Sequence, residues 1–321
     1  MRHAIEGLNL KALRAFVLVC ETKSMGEAAR VLGVTTSAIS QLIGALEQDQ
    51  GVPLFDRRFR PARLNAAGAT LFEQAESLLT HAQAVSRSVR AALDDEGLPL
   101  RIGAPGSVCS ALGPDLVTAL GQGFHDITFH TGESTDLADR VHGRAIDLAI
   151  CASPPPESRH LRADRLFSEI FVMAVPRARA NGQPFRDLCS VVERFPLLRY
   201  GSRVELGAQI ERYTAHIGLM APRRYEFDLS EPLLTMVANG AGCAITTPLC
   251  LWQARQCLDE LSLIHLPRSR YGLREFVLVS RQDEADQARR ACLALPVNDM
   301  LSGLASRLRE RLPHFPEQPF G

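Results

Sequence analysis

Short hydrogen-bonding side chains cluster in the segment MGEAARVLGVTTSAISQLIGALE, which runs from Met25 to Glu47. They are Thr35, Thr36, Ser37, Ser40 and Gln41. Hydroxyls and amides both donate and accept hydrogen bonds, so they suit the edges of DNA bases and the oxygens of phosphates. A solvent-facing helix surface is usually richer in Glu and Lys, and a core-facing one is apolar. The pattern therefore indicates a surface that touches a polar partner.

Arginines follow in the segment GVPLFDRRFRPARLN, which begins at Gly51. They are Arg57, Arg58, Arg60 and Arg63. Residues 1–64 carry nine Lys/Arg and six Asp/Glu, so this part is basic although the whole chain has a formal net charge of zero. Each arginine that neutralises a DNA phosphate releases counterions, and the resulting affinity falls steeply with salt. Two short strands around this arginine-rich loop, forming a wing along the phosphate backbone, are therefore predicted.

Three helices are predicted to position these side chains. Apolar residues at helical spacing predict a first helix from about Asn9 to Cys20. Ser24 is predicted to cap a second helix, with Glu27 completing a capping box and Gly33 ending the helix. Thr35 then caps a third helix. Two short helices separated by a glycine turn form a helix-turn-helix, whose second helix enters the major groove. An ordinary small helical domain with a solvated basic loop is the alternative interpretation.

The stretch LRAFVLVCETKSMGEAARVLGVTTSAISQLIGALEQDQGVPLFDRR resembles the winged helix-turn-helix of LysR-type transcriptional regulators in the order and spacing of its elements. The resemblance implies a sequence-specific regulator that binds a double-stranded DNA operator, can contact RNA polymerase and responds to a small-molecule effector. Its DNA-binding residues would be Ser24, the five polar residues above and the four arginines. The family commonly has Gln, Pro, Arg and Gln where this chain has Thr36, Ser37, Gln41 and Leu42. Because bidentate base readers are lost, the operator of a relative is not expected to transfer.

A heptad pattern follows the wing, in residues 66–97. Its apolar positions step by three and four residues: Leu71, Ala75, Leu78, Ala82, Val85 and Val89. The pattern predicts a helix that pairs two chains, and the resemblance identifies it with the linker helix of the family. A single helix packed on its own domain is the alternative. We expect a homodimer or homotetramer, and a roughly palindromic operator follows from two-fold symmetry.

Beyond residue 98 strands alternate with helices, a pattern that predicts a largely parallel sheet with helices on its faces. The marks DLAI and VANGAGCAITTP add a weaker resemblance to the effector domain of the family, which is α/β, two-lobed and similar to periplasmic solute-binding proteins. We therefore predict a winged helix-turn-helix rich in α-helix at 1–65, a linker and dimerisation helix at 66–97 and an effector-binding domain at 98–321. Lobe I would span about 98–172 and 272–312, and lobe II about 173–271.

A ligand in such a fold lies beyond the carboxyl ends of the strands. Ser107 follows the first strand and can cap a helix whose free N–H groups attract an anion. Candidate effector-binding residues at strand ends are Ser107, Thr131, Ser153, Ser202 and Thr247. The resemblance implies that all of these except Thr131 line the pocket, whereas an ordinary cap or turn role is the competing interpretation for each. An anionic, carboxylate-bearing metabolite is the expected effector.

Catalytic and metal-binding motifs are not found. The sequence contains no HExxH, GxSxG or P-loop, GAGCAI lacks the third glycine of a dinucleotide fingerprint, and the histidines lack ligand spacing. No enzyme activity, metal or cofactor is expected. The eight cysteines form no CxxC and are interpreted as buried free thiols. An alternative function is redox sensing through Cys109 and Cys151, which would require exposed thiols of lowered pKa.

No run approaches the ~18 apolar residues that span a membrane, and the N-terminus lacks the apolar stretch of a signal peptide. A cytoplasmic location without membrane contact is expected. The C-terminal LPHFPEQPFG is expected to be a frayed tail.

Overall fold

The computed structural model of the protein describes residues 8–56, 58, 63–91, 98–155, 160–180, 188–282 and 287–321. The chain forms two compact units. The first is built from the described residues of 1–95 together with Gly143–Ala145, and the second from those of 96–142 and 146–321.

The first unit is a helix-turn-helix with a small wing. Its elements are α1 (Leu10–Thr22), α2 (Met25–Leu32), α3 (Thr36–Gln50), β1 (Phe55–Asp56), β2 (Arg63–Leu64) and α4 (Ala66–Ala91). β1 and β2 pair antiparallel, as the wing prediction requires. α1 lies at the centre, in contact with α2, α3 and α4. The ring of Phe16 on α1 meets the ring of Phe55 edge-on at 5.6 Å, so the wing is anchored to the core of the helices.

The ends of the helices follow local chemistry. The side chain of Ser24 accepts a hydrogen bond from the Glu27 backbone N–H, and Gly33 ends α2 in the left-handed conformation (φ 65°). The other half of the predicted capping box is wrong. The Ser24 N–H donates instead to the Thr22 hydroxyl (3.4 Å), because the Glu27 carboxylate is held by the guanidinium of Arg30 at 2.5 Å.

Part of the heptad pattern on α4 packs within its own unit. Ala75 is 1% exposed in the core that α1 and α3 form, and Leu71 packs against the same core. Ala75 is therefore not available to a second chain, which corrects its place in the predicted seam. Leu78 and Val85 are exposed, at 39% and 51%. The side chain of Val89 lies outside the described residues.

The second unit contains the α/β part of the chain. Its elements are β3 (Leu98–Ala104), α5 (Gly106–Leu120), β4 (Phe124–Thr131), α6 (Ser134–His142), β5 (Leu148–Cys151), β6 (Leu161–Ile170), β7 (Val172–Pro176), α7 (Arg177–Ala180), α8 (Leu188–Arg194), β8 (Leu197–Tyr200), α9 (Glu205–His216), β9 (Tyr225–Phe227), α10 (Ser230–Ala238), β10 (Cys243–Thr246), α11 (Pro248–Gln253), β11 (Leu261–His265), β12 (Leu273–Arg281), α12 (Gln287–Leu293) and α13 (Val297–Arg311). Short 3₁₀ turns occupy Arg255–Glu260 and Arg270–Gly272.

The strands form two five-stranded sheets, and each sheet defines a lobe. Lobe I has the order β4-β3-β5-β12-β6, and lobe II has the order β11-β7-β10-β8-β9. The prediction of a largely parallel sheet is wrong, since both sheets are mixed. β12 runs antiparallel to β5 and β6, and β7 runs antiparallel to β10 and β11. These antiparallel pairs arise because the chain passes between the lobes and returns.

Two crossing segments connect the lobes. The first is Phe171, between β6 and β7, and the second is Leu266–Gly272, between β11 and β12. The Phe171 N–H donates to the Gly272 carbonyl at 3.1 Å, so the crossings are hydrogen-bonded to each other. We call this place the hinge.

The C-terminal tail is ordered, and the expectation of fraying is wrong. Ser168 on β6 exchanges backbone hydrogen bonds with Gly321, at 2.6 and 2.9 Å, and the Ile170 N–H donates to the Pro319 carbonyl. Phe315 is 8% exposed. Apolar burial and pairing along β6 outweigh the prolines, which local sequence reasoning took as a sign of disorder.

Within the part of the chain that the structure describes, no single helix is long and apolar enough to cross a membrane. α2 and α3 would pass such a test only as a pair, and they are bent by 103°.

Candidate functional site

The first candidate site is the outer face of α3. The residues Thr35, Thr36, Ser37, Ser40 and Gln41 are all exposed. Ile39, Ile43 and Leu46 on the opposite face are buried against α1. Packing of the apolar face of α3 therefore holds the helix in place. Its polar face is left as a rigid surface that a flat partner can contact.

The N-terminus of α3 is suited to negative charge. Thr35 caps it by accepting a hydrogen bond from the Ala38 N–H at 3.2 Å, and the first turn contains no acidic residue. Free N–H groups and the helix dipole attract phosphate at such an end. Val31 and Val34, exposed at 50% and 43%, flank this end and offer methyl groups of the kind that contact thymine. Sequence reasoning did not select them, because exposed valines carry no signal by themselves.

The wing presents part of its predicted arginine set. The Arg58 guanidinium binds the Asp56 carboxylate at 2.6 Å, and the hydrogen bond from Arg58 lowers the pKa of Asp56 to about 2. Asp56 therefore stays ionised and offsets part of the charge of Arg58. Arg63 lies exposed on β2. Arg57 and Arg60 lie outside the described residues.

The second candidate site lies between the two lobes, where α5 of lobe I meets α11 of lobe II. Ser107 is 5% exposed and accepts a hydrogen bond from the Arg274 guanidinium at 3.4 Å. The expectation that Ser107 caps α5 is wrong: the N-cap is Pro105, and Ser107 lies inside the first turn of the helix. Pro105 supplies no side-chain cap, so the first N–H groups of α5 have no side-chain acceptor there. Arg274 is buried, and its Nε has no hydrogen-bond partner among the described residues. Ser107 thus lies beside two kinds of donor.

A buried carboxylate balances that arginine. Glu169 is fully buried and lies 3.3 Å from the Arg274 guanidinium. Its other oxygen accepts from the Leu249 N–H at 2.9 Å, and the Thr247 hydroxyl also hydrogen-bonds to it. Burial raises the pKa of Glu169, and the positive charge of Arg274 opposes that rise. Thr247 itself is 0% exposed, so it supports Glu169 and caps α11 rather than facing open space.

A second carboxylate joins the two lobes. Glu205, in the first turn of α9 in lobe II, accepts hydrogen bonds from two serines of lobe I: the Ser134 hydroxyl at 2.5 Å and the Ser153 hydroxyl. The Ser134 N–H also points to it, at 3.3 Å. In the opposite direction, the Glu205 N–H donates to the Glu133 carboxylate at 3.1 Å. The N-termini of α6 and α9 therefore face each other, and each receives a carboxylate from the other lobe. We call this arrangement the inter-lobe clasp.

Gln209, one turn further along α9, extends the contact. Its Nε2 donates to the Ala152 carbonyl at 3.0 Å, and its Oε1 is buried without a donor among the residues that the structure describes. Sequence reasoning missed Glu133, Ser134, Glu205, Gln209, Glu169 and Arg274. Their partners are 17 to 167 positions away in the chain, so no local spacing could have indicated them.

The remaining candidates lie further out. Thr131 ends β4 and is exposed, and Ser202 is exposed in the turn before α9. Neither has a side-chain hydrogen bond in the described part of the chain. The structure thus associates Ser107 and Thr247 with the Arg274–Glu169 pair, and Ser153 with the clasp, but it does not bring Thr131 or Ser202 into either group.

Cys109 and Cys151, the two candidate sensor cysteines, lack the lowered pKa of a reactive thiol. Burial raises the pKa of Cys151 to about 12 and also raises the pKa of Cys109. The Cys151 thiol donates to the Ser134 carbonyl at 3.6 Å. All eight cysteines are free, and Cys189 is the exposed one. The described residues also contain no group of three or more His, Cys, Asp or Glu side chains arranged to hold a metal ion.

Comparison with known proteins identifies the family. Residues 10–69 match the model of the bacterial regulatory helix-turn-helix protein, lysR family, and residues 94–299 match the LysR substrate binding domain. The chain belongs to the LysR family of transcriptional regulators. Members of the LysR family bind DNA and carry an effector-binding domain, and they are regulators rather than enzymes.

Among LysR-type relatives, the transcriptional regulator IlvR of Caulobacter vibrioides is 26% identical over 298 residues, which cover 91% of this chain and 98% of that protein. A probable hydrogen peroxide-inducible genes activator of Mycobacterium xenopi is 31% identical over 169 residues, covering 52% of this chain and 89% of that protein. The structure of full-length CbnR with its target DNA has the same fold, with a TM-score of 0.66, 20% identity and coverage of 94% and 100%.

Proposed function

We propose that this regulator reads its operator with the exposed polar face of α3 and holds the flanking phosphates with the wing. Thr36, Ser37, Ser40 and Gln41 would meet base edges and nearby phosphates, while Ser24 and Thr35 hold the two helix starts in place. The proposal rests on the packing of α3, because burial of Ile39 and Ile43 fixes the helix with its polar face exposed. Arg57, Arg58, Arg60 and Arg63 would supply the salt-dependent part of the affinity.

We further propose that a small anionic metabolite binds in the cleft at Ser107 and switches these operator contacts. The observation that carries this proposal is the buried Nε of Arg274, a donor that lacks an acceptor within the described residues beside the uncapped start of α5. An anionic oxygen placed there would satisfy Arg274 and the first N–H groups of α5. A ligand can switch the protein only through different affinities for two arrangements of the lobes.

Ser153 contributes to this switch through the clasp, and Thr247 contributes by holding Glu169. Thr131 and Ser202 remain proposed contacts at the mouth of the cleft. The orphan Oε1 of Gln209 favours a metabolite that also carries a hydroxyl or amino donor.

The effector is identified by thermal-shift screening of the full-length protein against metabolites of the pathways adjacent to its genomic binding sites. A ligand at 100 times its Kd is expected to stabilise the second unit by about 2.7 kcal/mol. Ser107→Ala is then expected to weaken that ligand about tenfold, as loss of a hydrogen bond to a charged group implies. The matched control is Ser302→Ala, an exposed serine on α13. Equal affinity in both variants would reject Ser107 as a contact.

Domain roles are proposed at the boundaries given by the sequence. Residues 1–65 would bind DNA, 66–97 would link and pair two chains, and 98–321 would bind the effector. Leu78, Ala82, Val85 and Val89 would form the seam between two α4 helices. Sedimentation of Val85→Glu should show loss of the dimer if this seam pairs the chains.

A second exposed apolar group favours assembly beyond a dimer. Met220, Tyr225 and Leu229 lie around β9, the edge strand of lobe II, and are exposed at 85%, 51% and 63%. Exposed large apolar side chains on an edge strand and its flanking turns favour a protein interface. We propose a homotetramer of paired dimers, acting in the cytoplasm and contacting RNA polymerase at its promoters.

Redox sensing is the second candidate function, because a probable hydrogen peroxide-inducible genes activator is among the relatives. The burial of Cys151 and the raised pKa values of Cys109 and Cys151 argue against a reactive thiolate at either position. Thiol counting before and after peroxide treatment decides between the two functions. Loss of thiols together with a changed footprint on the operator would favour the sensor, and an unchanged footprint would favour the metabolite.

A further inference from the structure

A cavity of the second unit lies over the hinge, away from the Ser107 site. It has a volume of about 890 Å³. Its walls are the junction of β6 and β7, the crossing segment Leu266–Gly272 and the C-terminal tail from Phe315 to Gly321. We call it the hinge pocket.

The floor of the hinge pocket is apolar and well supported. Phe171, Val172, Tyr213 and Phe315 line it and are buried. The rings of Phe171 and Tyr213 meet edge-on at 5.5 Å, and the Tyr213 hydroxyl donates to the Pro267 carbonyl at 2.7 Å. Since the one polar atom of this floor already has a partner, the floor favours a hydrocarbon or aromatic body.

The rim carries mostly positive charge. Arg165, Arg268, Arg270 and His265 line it, together with the acidic residue Glu317. The Arg270 guanidinium is held by the Tyr271 hydroxyl at 2.7 Å. Arg165 and Arg268 have neither a hydrogen bond nor an ion pair in the described part of the chain. Two arginines without partners above an apolar floor are complementary to a molecule with an apolar body and one negative charge.

We infer that the hinge pocket is a second ligand site, for a small amphipathic monoanion such as an aromatic carboxylate. It is distinct from the cleft because successive side chains of a strand point to opposite faces. Ser168 and Ile170 of β6 line the hinge pocket, whereas Glu169 between them faces Arg274. The two sites therefore lie on the two faces of one strand.

Because of the position of the hinge pocket, a ligand bound there influences the arrangement of the two lobes. A ligand there touches both crossing segments, whose backbones are joined by the Phe171–Gly272 hydrogen bond. Any change of lobe angle alters these walls, so the affinity of the hinge pocket depends on the arrangement of the lobes. Binding in the cleft and in the hinge pocket is accordingly coupled.

The probe for the test is 4-benzoylbenzoate, an aromatic carboxylate that attaches to neighbouring C–H bonds under ultraviolet light. The full-length protein is labelled at increasing probe concentration, digested and mapped by mass spectrometry. Saturable labelling of peptides from Leu266–Leu273 or Phe315–Gly321 is expected. The matched amine, 4-benzoylbenzylamine, is expected to label them at least fivefold less. Equal labelling by the two probes, or labelling that never saturates, would overturn the inference.

Charge variants test the same site without disturbing its floor. Arg268→Gln is expected to raise the half-saturating probe concentration about two- to fivefold, the range for exposed charges. Glu317→Gln is expected to lower it, since a repelling carboxylate is removed. Arg290→Gln, an exposed arginine on α12, is the control and should change nothing. Identical half-saturation in all three variants would refute the charge argument.

Ser107→Ala separates this inference from the proposed effector site. Labelling of the hinge peptides that persists in Ser107→Ala supports a separate pocket. Loss of that labelling, with labelling instead of peptides from the start of α5, would show that the probe occupies the cleft and would overturn the inference. The thermal-shift result for the metabolite at Ser107 does not depend on either outcome.

Discussion

Replacing Glu205 with alanine removes the carboxylate that holds the inter-lobe clasp. Three donors then lose their acceptor: the Ser134 hydroxyl, the Ser134 N–H and the Ser153 hydroxyl. Ser134 is 4% exposed, so water cannot readily replace the carboxylate there. The Ser134 hydroxyl keeps one bond, accepted from the Ala152 N–H at 2.8 Å. The variant therefore loses the inter-lobe bonds that the Glu205 carboxylate accepts, whereas the backbone N–H of residue 205 can still donate to Glu133 and Gln209 can still donate to Ala152.

The magnitude follows from the two hydroxyl bonds. A hydrogen bond to a charged group contributes about 1.5–3 kcal/mol. Because Glu205 and Ser153 are only half-buried, we discount the sum and expect Glu205→Ala to lower the free energy of unfolding of the second unit by about 2–4 kcal/mol. Glu205→Gln retains one neutral acceptor, and about half that loss is expected.

The assay uses the single tryptophan of the chain, Trp252, which lies on α11 in the second unit. Its fluorescence during urea unfolding reports this unit and not the DNA-binding unit. With a slope of about 3 kcal/mol per molar urea, the expected loss moves the midpoint by about 0.7–1.3 M. The matched control is Glu193→Ala, an exposed carboxylate on α8, for which a change below about 0.5 kcal/mol is expected.

Equal urea midpoints for Glu205→Ala and Glu193→Ala would refute a stabilising role of the inter-lobe clasp. If Glu205→Gln and Glu205→Ala lowered the free energy of unfolding equally, the expectation for Glu205→Gln would be wrong. The whole effect would then come from the negative charge and none from the hydrogen bonds that a neutral oxygen accepts. Unchanged slopes across the series are required for these comparisons.

Gln41→Ala is expected to weaken binding to the operator by about 1–3 kcal/mol while sparing scrambled DNA, which mobility-shift titrations measure. Equal losses on both duplexes would exclude base reading. Arg63→Gln is expected to weaken both duplexes and to reduce the slope of log K against log salt by about one; an unaltered slope would remove Arg63 from the phosphate contacts. A hydrogen bond from Arg289 lowers the pKa of the Asp164 carboxyl, so this pair stabilises the fold fully above about pH 4 and is lost as the pH falls through the folded-state pKa. Thermal unfolding of Asp164→Asn should accordingly show a shallower loss of Tm on acidification, and parallel curves would argue against the pair. Gly68→Ala would place a Cβ 2.2 Å from a backbone carbonyl oxygen at the base of the wing, and a destabilisation of about 1–3 kcal/mol is expected by calorimetry; wild-type stability would show that the wing can shift.

The DNA-binding unit was predictable because its signals are local. Ser24 and Thr35 accept hydrogen bonds from N–H groups three residues further on, and the Gly33 N–H donates to carbonyls at the end of α2. The buried face of α3 follows from helical spacing. These interactions are short in sequence, so a single chain suffices to recognise them. Glu27 shows the limit of such reasoning. Its carboxylate could bind either the Ser24 N–H or the Arg30 guanidinium, and it binds the charged guanidinium.

The effector unit was predictable in its order of strands and helices but not in their directions. β6, α7, α8, β11, α11, α12 and α13 were not recognised as separate elements. The tail is held by pairing with β6, more than a hundred positions earlier in the chain. Its three prolines indicated disorder locally, and only the position of β6 at the edge of its sheet explains the order observed.

The sequence by itself determined the family and the three helices of the DNA-binding unit, because each depends on spacing within one segment. The tertiary structure alone decided that Glu169 and Arg274 form one buried pair, that Glu205 of one lobe receives Ser134 and Ser153 of the other, and that a pocket lies over the hinge. These features join residues that are remote in the chain. Their energies come from burial and from charges that folding brings together, quantities that no local pattern of residue types contains.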